Sequence, residues 1–159
     1  NLHPSLLPWN KGTHPNIWSL IEGTPSGVTL HRMDTGVDTG PILCQEEVES
    51  HPTDTAESLY RKLEEAAIAL FQKSWPDLPS LLNNPQPQLQ DSGTVHKTED
   101  IHRTEPIDLD EPTTARALIN LLRARTFPPH KGTYFLHNGK KIYIQISLSQ
   151  EEPLEANLK

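Results

Sequence analysis

The chain has 159 residues, with 21 acidic side chains against 14 basic ones and a formal charge of −7 at neutral pH. That balance provides no broad basic field to grip a phosphate backbone, so nucleic acid is not expected as the main partner. No apolar run approaches the roughly 20 residues of a membrane helix, and the single Cys44 cannot form an internal disulfide, so a reducing, cytoplasmic setting is expected.

The length sets one compact unit with a small appendage as the prior. Taken in chain order, Asn1 to Pro8 is too short and too rich in proline to be a free-standing strand, and reads as the emerging end of one. Thr13 then predicts the cap of a short helix with Pro15 in its first turn, Ile17, Trp18 and Ile21 on one side, and Gly23 past its end. Gly27 to Met33 reads as a strand and Ile42 to Val48 as another. Between them, Asp34 to Pro41 holds two glycines and a proline within eight residues and must turn sharply. A polar loop held between two strands is a natural place for chemistry.

From about Asp54 the three- and four-residue steps of Leu59, Leu63, Ala66, Ala67, Leu70 and Phe71 predict a long amphipathic helix, with Glu57 completing a capping box. Trp18 and Trp75 read as packing residues on apolar helix faces, and Pro76 checks the long helix before a further turn through Leu81 and Leu82. The Asn/Pro/Gln-rich composition beyond predicts a linker over 85–100. A smaller unit over 101–150 follows: Thr113 or Thr114 caps a helix through Leu118, Leu121 and Leu122, and Asn138-Gly139 sits between alternating apolar residues, a strong hairpin signal. Residues 151–159 read as a polar tail.

Three polar side chains stand out as a chemical set. Asn1 and His3, two apart, project from one side of an extended segment, and Asp38 lies in the glycine-bracketed loop. An amide to hold a developing oxyanion, a titratable ring to share its charge and a carboxylate to take a proton suit acyl-type transfer to an amine.

The segments Asn-Leu-His-Pro-Ser-Leu-Leu-Pro from Asn1, Gly-Val-Thr-Leu-His-Arg-Met from Gly27 and Val-Asp-Thr-Gly-Pro-Ile-Leu from Val37 resemble, in order and spacing, the 10-formyltetrahydrofolate-dependent formyltransferases. The likeness runs almost unbroken from Asn1 to about Val48. It implies an α/β fold in which 1–84 forms the C-terminal half of a Rossmann-like catalytic domain, followed by a small α+β unit of helix and hairpin. It also implies that Asn1, assisted by His3, steadies the formyl oxygen, that Asp38 relays the proton, and that the backbone of Asp34, Thr35, Gly36 and Val37 faces the pterin of 10-formyltetrahydrofolate.

The stretch Leu7 to Trp18 and the later Leu122 to Pro129 look most like the branch acting on nucleotide-linked aminosugars. The methionyl-tRNA branch is the alternative, and usually continues into a basic barrel. Ser5, Trp9, Asn10 and Lys11 are the candidates for binding the acceptor, Trp9 by stacking and Lys11 by charge. Lys11 stands where the family more often has arginine and lacks that residue's planar fork. A homodimer is a further expectation.

The chain opens on Asn1, has Met33 as its one methionine and begins where relatives have already laid down several strands. It therefore reads as an incomplete enzyme with little turnover alone, or as a truncated remnant serving self-association. The remaining histidines, His14, His31, His51, His96, His102, His130 and His137, make no spaced ligand pair, so no metal and no catalytic role is assigned to them. The doubled Asp-Thr-Gly of 34–40 superficially suggests an aspartic protease or a calcium loop. Two copies in one loop cannot face each other, and the EF-hand glutamate is missing at its step.

Overall fold

The computed structural model describes residues 1–89 and 92–151, so all but the first residue of the expected tail, and two residues of the expected linker, lie outside the described residues. Strands β1 (Leu2–His3), β3 (Gly27–His31) and β4 (Ile42–Glu47) form an antiparallel sheet in the order β1-β3-β4. The register sets Leu2 opposite Leu30 and His3 opposite Thr29. Asn1 therefore lies opposite His31, and the two residues exchange backbone hydrogen bonds, Asn1 N to His31 O at 2.8 Å and His31 N to Asn1 O at 2.9 Å. An irregularity between Leu30 and His31 breaks the β3–β4 register, the local twist by which a strand end re-aims a side chain.

The long helix α2 (Ala56–Ser74) packs on this sheet, and α1 (Pro15–Glu22) packs on α2. Leu59, Leu63 and Leu70 of α2 join Ile17, Trp18 and Leu20 of α1 and Val28 and Leu30 of β3 in one core. Each fully buried leucine there contributes about 1.5–3 kcal/mol. The capping details differ from the sequence reading. His14, not Thr13, occupies the cap of α1, with a left-handed backbone (φ 56°) and no side-chain bond; the Thr13 hydroxyl is buried without a protein partner. At α2 the capping box is closed by Ser58, not Glu57: Ser58 N donates to Thr55 Oγ1 and Thr55 N to Ser58 Oγ. The hydroxyl is short enough to reach back, which leaves Glu57 to pair with Arg61 one turn on. Trp75 is 59 % exposed and leans on Phe71 instead of entering the core. A short 3₁₀ turn through Pro76 then leads into α3 (Leu78–Asn83).

The stretch read as a linker is docked. Gln86 exchanges two backbone hydrogen bonds with Ile42, and strand β5 (Val95–His96) pairs in parallel with β2 (Lys11–Gly12). The His96 ring stacks on Trp18 with centroids 4.0 Å apart. Its polar composition serves backbone-like pairing, which a composition rule does not detect. Beyond it, Ile101 and Ala124 of α4 (Ala115–Ala124) are buried in the same core as α1 and α2. Thr114 caps α4, accepting from Ala117 N at 3.1 Å. Strands β6 (Thr133–His137) and β7 (Lys140–Ile144) form the hairpin, with Asn138 and Gly139 both at positive φ as a type I′ turn requires.

Candidate active site

The antiparallel register places Asn1 and His3 on one face of β1, and the loop between β3 and β4 folds back so that Asp38 meets both. Asn1 Nδ2 donates to Asp38 Oδ1 at 3.1 Å, and His3 Nδ1 lies 3.5 Å from Asp38 Oδ2. The amide, the imidazole and the carboxylate, 37 residues apart in sequence at their extremes, form one cluster. A fourth group belongs to it: His31 Nε2 is 3.2 Å from Asn1 Nδ2 and 3.5 Å from Asp38 Oδ1.

His3 is buried, and that burial pushes its ring below the usual imidazole range, partly offset by the Asn10 carbonyl and by Asp38. A neutral ring follows at neutral pH. Its Nε2 is 3.1 Å from the Asn10 carbonyl, which can only accept, so Nε2 carries the hydrogen and Nδ1 presents a lone pair toward Asp38. Nδ1 and the carboxylate are therefore neighbouring acceptors, poised to share a proton. Asp38 is held for this by Gly12 N, which donates to Oδ2 at 2.9 Å.

The backbone of Asp38 is left-handed (φ 52°), a strained state for a residue with a Cβ. Gln88, from the docked stretch, clamps it by donating through Nε2 to the carbonyls of Asp38 and Gly40, each at 2.8 Å. Neither Gln88 nor the Gly12 N–H is marked by any motif. His31 carried a weak signal: pairing the Asn1 segment antiparallel with Gly27–His31 puts residue 31 across from residue 1.

The loop residues 34–37 are exposed, and Asp34 organises them by accepting at Oδ1 from Gly36 N at 2.9 Å and Thr39 Oγ1 at 2.7 Å. Those bonds hold its carboxyl below the usual range. Asp34, Gly36 and Val37 line a cavity of about 130 Å³ with Asn1, His31, Met33 and Asp38, so three of the four loop candidates share one space with three members of the polar cluster; Thr35 and His3 are not in that lining.

The acceptor candidates divide. Asn10 and Lys11 are buried and turned inward: Asn10 Nδ2 donates to Thr24 Oγ1 at 2.8 Å, Thr94 Oγ1 donates to Asn10 Oδ1 at 3.1 Å, and Lys11 Nζ donates to the Ser92 carbonyl at 3.2 Å. Their polar atoms tie the docked stretch to the sheet. Ser5 is buried as well, its carbonyl accepting from Thr29 Oγ1 at 2.7 Å. Trp9 stays half-exposed. Among the described residues no group of acidic, histidine or cysteine side chains is arranged to hold a metal.

Comparison with known proteins agrees with this geometry. Residues 1–74 match the formyl transferase family, and residues 100–150 match the N-formyltransferase dimerization C-terminal domain. The chain belongs to the formyltransferase family. It is 29 % identical to the dTDP-4-amino-4,6-dideoxyglucose formyltransferase of Mycobacterium tuberculosis over 98 % of this chain and 67 % of that protein. A 4-N formyltransferase from Francisella tularensis superposes with a TM-score of 0.85 at 35 % identity, covering 95 % of this chain and 62 % of the other. An N-formyltransferase from Helicobacter canadensis, solved with folinic acid and dTDP-3-aminofucose, gives 0.73 at 30 % identity over 89 % of this chain and 52 % of the other. The chain thus spans about two thirds of the length of the aminosugar enzyme it matches.

Proposed function

We propose that this chain carries the formyl-transfer centre of an enzyme that formylates the amine of a nucleotide-linked aminosugar. The observation that carries the reading is the convergence of Asn1, His3 and Asp38 within hydrogen-bond or single-water reach. The names of the M. tuberculosis and H. canadensis relatives support the sugar-nucleotide class. The cavity beside the cluster supports a role for the cosubstrate there: Asp34 and Gly36 form its polar edge and the exposed Val37 and Met33 its apolar rim. Bound there, 10-formyltetrahydrofolate supplies the formyl carbon and its N10 leaving group.

This chain's residues then divide the remaining work. Asn1 presents an amide N–H to the formyl oxygen as it takes on negative charge, and His3 adds to that stabilisation once its Nδ1 has taken up a proton and become a donor. Asp38 accepts the proton that the attacking nitrogen loses as the new C–N bond forms, with the His3 Nδ1 lone pair beside it as second acceptor. The proton passes on to N10 as the old C–N bond breaks. Trp9 remains the candidate for stacking on the acceptor. We further propose a cytoplasmic enzyme: among the described residues no helix is long and apolar enough to cross a membrane, and Cys44 is a free thiol. Its partner is a second copy, engaged through the C-terminal unit whose family description is dimerization.

The test is a panel of amines, dTDP- and UDP-linked aminosugars against methionyl-tRNA, offered with 10-formyltetrahydrofolate to the polypeptide carrying this chain. Formamide formation on an aminosugar and release of tetrahydrofolate are expected. Formylation of the tRNA alone, or of no acceptor, would overturn the reading.

A further inference from the structure

We propose that His31 is a positioning residue that decides which end of the Asn1 amide faces the reacting carbonyl; the inference rests on the function proposed above. His31 ends β3 and is buried, 3 % exposed. Its Nδ1 lies 2.7 Å from the carbonyl of Arg32, and a carbonyl oxygen can only accept, so Nδ1 carries a hydrogen. In the neutral ring Nε2 is then a bare lone pair, and it faces Asn1 Nδ2 at 3.2 Å.

Two acceptors thus converge on the Asn1 amide nitrogen: His31 Nε2 at 3.2 Å and Asp38 Oδ1 at 3.1 Å, the two lying 3.5 Å from each other. An asparagine amide is nearly symmetric in shape, and turned over it would aim its oxygen at the charge it has to stabilise. The His31 lone pair makes the turned-over state unfavourable, because it would then meet the amide oxygen. A hydrogen on Nε2 would reverse that preference. The two bonds also differ in permanence. The one to His31 is partly buried, while the one to Asp38 is exposed and can be exchanged for the formyl oxygen, which frees Asp38 to accept a proton. His31 keeps one N–H fixed so that the other stays aimed.

The register explains how the residue gets there. Asn1 and His31 are directly opposed on β1 and β3, where cross-strand side chains are neighbours, and the irregularity after Leu30 sets the His31 ring toward the loop.

Replacement separates the ring's two nitrogens. His31→Asn retains a group near Nδ1 but loses the acceptor at Nε2, whereas the longer His31→Gln can return a carbonyl oxygen to the Nε2 position. In formyl transfer, His31→Asn is expected to lower kcat about 100-fold, the typical cost of one misplaced oxyanion donor, with KM for both substrates nearly unchanged. His31→Gln is expected to recover most of that loss. A Gln variant no better than Asn, or a loss confined to KM, overturns the proposal. An independent reading uses ¹⁵N NMR of the imidazole nitrogens in the unaltered protein: at neutral pH His31 should show a protonated Nδ1 and a bare Nε2. A hydrogen on Nε2 overturns the positioning role even in an active enzyme. Absence of any formyl transfer alongside the expected NMR signature overturns the proposed function and leaves the amide orientation standing.

Discussion

The sheet around β1, β3 and β4 and the hairpin of β6 and β7 use polar and apolar side chains in opposite ways. In the first region His3, Ser5, Asn10, Lys11, Thr29 and His31 are all buried, and most are tied to partners from distant segments. In the second, Leu136 is 62 % exposed, with Tyr143 exposed on the same face of the hairpin and Ile142 exposed on the opposite one. Buried polar networks hold a geometry because every alternative leaves a group unpaired, while exposed apolar side chains await a surface. On the function proposed above, one region is organised around a reaction and the other around a partner.

That contrast breaks most visibly at Asp38. Asp38→Ala removes the proton acceptor and the partner of Asn1, His3 and His31 together. Turnover should fall by at least about a thousandfold, beyond the hundred- to thousandfold attached to one oxyanion donor, while the thermal midpoint moves little because the side chain caps no core. His3→Ala should come close to it. Near-normal turnover in either variant, measured at saturating substrate, removes the basis for the proposed chemistry.

Next in size is the docking of the polar stretch. Gly93 has φ +78°, and a methyl there would overlap the carbonyl oxygen of Pro8. Gly93→Ala should therefore destabilise by about 2–3 kcal/mol through backbone strain and overpacking, and should loosen the Gln88 clamp on Asp38. Urea denaturation gives the first number and kcat the second. An unchanged midpoint would mean that 92–96 is not held against Pro8 and Lys11.

This same stretch shows where the sequence was legible and where it was not. Helices α2 and α4, the hairpin and the strand–loop–strand that carries Asp38 announce themselves through apolar period, a threonine cap, Asn-Gly and clustered glycines, all local signals. The meeting of Asn1, His3 and Asp38 was legible through motif spacing. What escaped depends on distant partners: Gln88 works through two carbonyls about fifty residues away, and Asn10 and Lys11, read from the sequence as acceptor-binding candidates, have internal partners in Thr24, Thr94 and Ser92. His31 was one histidine among many until a register put it opposite Asn1.

A smaller effect should appear with pH. The ring of His3 is held below its usual value by burial, and His14 is shifted the same way by burial and by Arg125. Above pH 6.5 both rings are neutral in either state and this contribution is complete. As pH falls through 6.5 the unfolded chain takes up protons that the folded chain refuses, so stability declines until the folded values are reached, by at most about 1.4 kcal/mol per pH unit for each group. The Asp54 carboxyl adds a second window. Burial pushes it up, but hydrogen bonds from Lys62, His51 N and Ser58 outweigh that and leave it lowered, so its contribution is lost as pH drops below 3.8. Unfolding midpoints that stay flat between pH 7 and 5 would show that folding does not lower the proton affinity of the His3 ring, and the proton-sharing arrangement with Asp38 would need to be redrawn.

The smallest folding effect belongs to the hairpin, and there the comparison is sharpest. Leu136 and Ile142 contribute little to the core, because both are exposed and β6 and β7 pair chiefly with each other. The double change Leu136→Ser and Ile142→Ser should alter the stability of an isolated protomer by about 0.5 kcal/mol or less per site, as for ordinary surface positions. The two side chains lie on opposite faces of the hairpin, so if a second copy covers either face the double change removes apolar area from the contact, and sedimentation should show the dimer giving way to monomer at concentrations where the unaltered protein stays paired. Turnover per protomer follows only if the partner lends a group to the site, and nothing in the Asn1–His3–His31–Asp38 cluster needs one. A monomeric variant retaining its kcat would therefore separate the two regions by function as cleanly as burial separates them by structure, whereas a dimer indifferent to both substitutions would place the contact elsewhere.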